Sequence, residues 1–206
     1  MLKNCPTAEE IEQFNSDFEI TSDIPFEEYA CENGKNPKYF GVGLDSHLVL
    51  YQMLSLMNYL EFSKRLPCTD KQLYYWFRDS VENIHLDSST EYPFYFDDSI
   101  HFRLSDMGRK WNGQWIDEQL DGGMANLIIL AAHEARHAQK NHTCDFLSEV
   151  NNYIRDLSLG ELGSWGVQYY LEKWMADYLS ENLQTYGARK SLEYRAKDIL
   201  KTRFCG

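Results

Sequence analysis

The sequence predicts an α+β protein, mostly helical with a small sheet, and three observations lead there. Apolar residues recur at helical spacing over long stretches, most clearly in "SHLVLYQMLSLMNYLEFSKRL" (46–66), where Leu48, Tyr51, Leu54, Met57 and Leu60 share a face. A single aromatic and β-branched segment, "EYPFYFDDSIHFRLSDMG" (91–108), interleaves polar and apolar residues in the manner of strands. The 206 residues are 43% hydrophobic and 15% aromatic, enough to pack the core of one domain.

In chain order, Thr7 and Glu10 have the spacing of a capping box, which opens a short helix over Ala8 to Phe14. "DFEITSD" reads as a short strand. Residues 24–42 are rich in Pro, Gly and Asn and read as a loop. Asp45 caps the long helix that Pro67 ends, and Thr69 caps a second one, "DKQLYYWFRDSVENI" (70–84). One or two strands follow in 91–108, with Ser99 to Leu104 the better formed. "RKWNGQWIDEQLDGG" (109–123) reads as a polar loop ending at Gly122 and Gly123. Four helical stretches complete the chain: Met124 to about Lys140, Phe146 to Leu157, Ser164 to about Leu183, and Ala188 to about Phe204. The expected organisation is one domain over 1–206. It comprises an N-terminal extension with a loop (1–44), a helical part (45–90), a strand part with one key helix (91–140) and C-terminal helices (141–206).

Charge narrows the functions. A net charge of −12 disfavours nucleic acid, whose phosphates call for a basic surface, and anionic membranes likewise. No apolar run is long enough to span a bilayer, and "MLKNCPTAEEIEQF" lacks the apolar region of a signal peptide. The five cysteines, Cys5, Cys31, Cys68, Cys144 and Cys205, form no CxxC pair. Their spread suits two disulfides, Cys5 with Cys31 among them, and so a secreted or periplasmic protein whose leader has been removed. Five reduced, buried thiols are the alternative. Oligomeric state is not legible.

The chemistry concentrates in "NLIILAAHEARHAQKNHTCD" (126–145). His133 and His137 are four apart, ~40° of helical rotation and one turn of rise, so both imidazoles can reach one ion. Glu134 sits ~100° round from His133, placed to face a zinc-activated water as general base. Chance would place HExxH in a chain of this composition roughly 1% of the time.

The motif, its apolar leading half "MANLIILAA" and the strand-like segment before it resemble the zincin metallopeptidases. The resemblance covers about Ser99 to His137. It implies a zinc-dependent peptidase in which a small sheet packs on the HExxH helix and an edge strand holds an extended peptide or protein substrate. "HEARH" with "HTC" and "GSWGVQYYL" also resembles uncharacterised bacterial exported proteins.

The chain departs from the family pattern in two respects. Arg136 stands where uncharged residues are usual. The metzincin third ligand and glycine fall on Thr143 and Lys140, and the ExxAD pattern puts Lys173 at its Glu position. The third metal ligand is therefore expected at His142, just past the helix end, with Glu172, Asp145, Glu149 and Cys144 as alternatives. Arg136 is read either as the anchor of a substrate carboxylate or as half of an ion pair. His101, Tyr153, Tyr169 and Tyr170 are possible oxyanion donors, and the Trp165–Trp174 cluster reads as core. Two other functions fit the same residues: a non-catalytic zincin-like pseudoenzyme or exported binding module, and a metal-binding protein without hydrolytic activity.

Overall fold

The first helix shows how local chemistry becomes tertiary structure. In the computed structural model, which describes residues 6–23, 46–59, 71–87, 93–103, 117–139, 163–182 and 186–204, α1 runs over Ala8–Asp17. The capping box is formed: the Glu10 amide donates to the Thr7 hydroxyl at 3.2 Å and the Thr7 amide to the Glu10 carboxylate at 2.8 Å. That satisfies two amides that the helix itself leaves without partners. The helix runs three residues past the expected Phe14, which is fully buried. Its polar face binds its neighbours. Ser55 donates to Glu10, Tyr51 to Asn15 and Tyr74 to Asp17, at 2.7–2.9 Å. Burial and the bond to Asp17 push the Tyr74 hydroxyl pKa well up.

Helix α2, Ser46–Tyr59, is a core helix with Leu50, Met53, Leu54 and Met57 all fully buried. The expected continuation to Leu66 and the stop at Pro67 lie outside the described residues. The next element corrects the sequence reading. Helix α3 is only Leu73–Arg78, starting after Gln72 and not at Thr69, and Asn83–Asp87 forms a strand. The part 45–90 is thus not wholly helical. The physical reason is the alternation in "NIHLD", which puts Ile84 and Leu86 in the core and leaves Asn83, His85 and Asp87 on the other face.

The sheet has four strands in the order β1-β2-β4-β3. β1 (Glu19–Ser22), β2 (Asn83–Asp87) and β4 (Ser99–Arg103) are parallel, and β3 (Phe94–Phe96) runs antiparallel along β4 at one edge. A two-residue turn joins β3 to β4. Asp97 and Asp98 both take positive φ, 49° and 58°, the left-handed pair that matches strand twist in a tight hairpin.

One face of the sheet, with Ile84, Leu86, Ile100 and Phe102, joins a single core. Against it lies α4, Asp117–Ala138, which touches β3, β4 and α2. Leu127, Ile128, Ile129, Ala131, Ala132 and Ala135 are among its buried residues, and the alanines permit close approach. Here too the structure corrects the sequence reading. Residues 117–123 are helix, not loop: the two glycines cost about 1 kcal/mol each, and continuity with the core-packed part of α4 offsets them. Helices α5 (Ser164–Asn182) and α6 (Tyr186–Ile199, continued by a π-helical turn, Leu200–Phe204) pack together and on α4. The expected helix 146–157, the loop 24–42 and all five cysteines lie outside the described residues, so disulfide pairing is outside them too. The described part is helix-rich α+β, as expected. Among the described residues, no helix is long and apolar enough to cross a membrane.

Burial on this pattern sets expectations for stability. Phe77→Ala, at a fully buried ring, should cost about 3–5 kcal/mol in chemical denaturation. Phe96→Ala, at a ring 66% exposed on the edge strand, should stay within about 0.5 kcal/mol. Equal losses would contradict the placement of the core.

Candidate metal centre

His133, Glu134 and His137 lie in the last two turns of α4, where the apolar run gives way to polar residues. His133 is nearly buried and His137 exposed. Their ring centres are 5.1 Å apart, with the planes at 63°. Two imidazoles bound to one tetrahedral zinc put their ring centres about 5.0–5.3 Å apart, the separation seen here. The edge-on ring of Trp165, 5.0 Å away on α5, packs against His133. Trp165 therefore shapes the site and is not simply core. Trp174 packs partly buried against the core as expected.

Glu134 makes the contact that joins the helix to the sheet. Its carboxylate accepts from the backbone amide of Tyr95 at 3.0 Å. The geometry of the hairpin explains why that amide is available. In a two-residue hairpin the closing pair, Phe96 with Ser99, shares its hydrogen bonds, and the next pair, Tyr95 with Ile100, does not. The Tyr95 amide thus points to the outer edge of the sheet. Burial pushes the Glu134 carboxyl up to about 7, against the smaller opposing pull of that amide. A carboxyl so placed exchanges its proton readily near neutral pH.

The structure sorts the other sequence-predicted residues. Arg136 is 2% exposed, an interior side chain that donates to Gln139 at 2.5 Å. Gln139 in turn donates to Ser80, and Ser80 to the carbonyl of Trp76, so the chain ties the end of α4 to the α3 segment. That interior position removes Arg136 as an anchor for substrate carboxylates.

Glu172 is fully buried on α5, 3.3 Å from the Arg195 guanidinium and accepting from Gln168 at 3.1 Å. It is not brought together with the two histidines of α4. Among the described residues, no carboxylate, thiol or imidazole joins His133 and His137 in a three-ligand group. His142, Cys144, Asp145, Glu149 and Tyr153 lie outside the described residues. Tyr169 and Tyr170 pack edge-on against each other. His101 lies on the sheet face opposite the core and so does not serve as an oxyanion donor beside Glu134.

Sequence reasoning missed two features. The Tyr95 amide could have been found from the "FDDS" turn, which fixes which amides of β3 face outward. The juxtaposition of His85, Asp87 and His101 could have been found once "NIHLD" was read as a strand. No protein-family model, curated protein or solved structure gives a match to this chain.

Burial also raises the pKa of Glu172, with Arg195 and Gln168 pulling the other way. A raised folded-state pKa gives stability that is complete below the unfolded value and is lost as the pH climbs through the folded one. The melting temperature of Glu172→Gln relative to the native chain should therefore rise as the pH climbs above the usual carboxylate range. A difference that falls as the pH climbs would contradict the buried placement.

Proposed function

We propose that this chain is a zinc-dependent hydrolase of the HExxH kind, a peptidase acting on extended peptide or protein strands. The observation that carries the reading is the position of Glu134, on the edge amide of β3 and one residue from a histidine pair already at metal-sharing separation. His133 and His137 would each give one ring nitrogen, and His142 remains the first choice to complete the set. Zinc bound there would polarise the substrate carbonyl and lower the pKa of an attacking water.

The residues of the chain do the rest. A substrate strand adding to the outer edge of β3, which no other described strand pairs, would pair with the backbone of Tyr95. The Tyr95 amide then passes from Glu134 to a substrate carbonyl. Released, the Glu134 carboxylate takes the proton of the attacking water and later delivers it to the departing amine. Trp165 keeps water from one side of His133 and holds its ring plane.

A non-catalytic module is the second reading, favoured by the interior Arg136 and by a histidine pair that no third ligand joins among the described residues. Two variants separate the readings. Glu134→Gln should keep about one equivalent of zinc on the helix and lose about 10²–10⁴-fold in peptide hydrolysis. His137→Ala should lose both the zinc and the hydrolysis. A native protein that takes up no zinc through His133 and His137 at neutral pH would end the proposal. If zinc binds and hydrolysis is absent or unaffected by Glu134→Gln, the non-catalytic reading replaces it.

A further inference from the structure

On the sheet face opposite the core, β2 and β4 bring two histidines side by side. His85 and His101 are register partners in a parallel pair, and Asp87 follows His85 on the same face. We propose that His85, Asp87 and His101 form a second divalent metal site, for a zinc-class transition ion, independent of the α4 helix.

The geometry supports this in four ways. One ligand atom from each of the three residues lies within 4.8 Å of the others. His101 Nδ1 is 3.5 Å from the Asp87 carboxylate. That is too long for a good hydrogen bond, and His101 Nδ1 is buried with no hydrogen-bond partner. Donors around a tetrahedral zinc stand about 3.3–3.4 Å apart, so the gap is the width of a shared ion. The two ring centres are 5.1 Å apart, the same separation as in the α4 pair.

The surroundings hold the rings as metal-ligating imidazoles are held. His85 Nδ1 and the Thr21 hydroxyl on β1 are 2.8 Å apart; with Nδ1–H donating to that oxygen, the lone pair of Nε2 is left for the ion. Phe94 on β3 stacks on His101 at 4.6 Å and 5°, fixing its plane. All four strands thus contribute, and the three ligands are half-buried. Imidazole with carboxylate selects ions of the zinc class over calcium or magnesium, which prefer all-oxygen sets. The three ligand atoms, all within 4.8 Å of one another, reach tetrahedral spacing by side-chain rotation on binding.

The test is zinc titration of the chelator-stripped full chain by calorimetry, comparing native protein, Asp87→Asn, His101→Asn and the double variant His133→Asn/His137→Asn. Asp87→Asn and His101→Asn should each bind one equivalent fewer than the native chain, whether or not the α4 helix binds an ion of its own. The double variant should keep the equivalent that Asp87→Asn loses. In the native chain, zinc should shift the imidazole nitrogen resonances of both His85 and His101, a readout that needs no variant to fold. Unchanged stoichiometry in folded Asp87→Asn and His101→Asn, or unmoved His85 and His101 resonances, would reduce the cluster to a histidine–aspartate contact and overturn the proposal.

Discussion

An edge strand carries amides that its own sheet cannot satisfy, and much of this structure follows from how one of them is met. The tight turn at Asp97 and Asp98 decides that the Tyr95 amide faces outward. The partner it finds is a carboxylate on the helix that covers the sheet. This bond joins α4 to the edge of the sheet, and the burial of its apolar face sets its rotation. With Glu134 at the edge of β3, Ala131 and Ala135 turn into the core, and His133 and His137 stand together towards Trp165. Burying the carboxylate has an energetic cost, visible in the Glu134 pKa pushed up to about 7.

The sheet divides the chemistry into two faces. The core face is apolar and holds the helix of the HEARH motif. The other face carries a second pair of imidazoles with a carboxylate, set by the register of β2 on β4 and not by helical periodicity. Each pair comes from a different two-residue geometry: four apart on a helix, or directly opposite across parallel strands. Both arrive at the same 5.1 Å separation.

Much of this was legible in the sequence where a local rule had no competitor. The capping box at Thr7 and Glu10, the helix beginning at Ser164 and the apolar run of α4 each follow from residues within a few positions of one another. The histidine pair was legible for the same reason. Where two local signals overlapped, the reading failed. "RDSVENI" continues a helical pattern, but its last residues also begin the alternation of β2, and pairing with β1 and β4 decides for the strand. Gly122 and Gly123 look like a loop end, yet a helix packed against the core absorbs their cost. Arg136 reads as a substrate anchor or half of an ion pair, and only the packing of α4 against the α3 segment reveals it as interior. The "FDDS" turn shows which β3 amides face outward, but the partner that the Tyr95 amide finds leaves no signature, because any residue supplies an amide.

The bond between the Tyr95 amide and Glu134 is the central claim, and amide hydrogen exchange reads it directly. In the native chain the Tyr95 amide should be protected although it lies on a sheet edge. In Glu134→Ala that protection should vanish while the paired amides of β4 keep theirs. Equal exchange at Tyr95 in the two proteins would contradict the account.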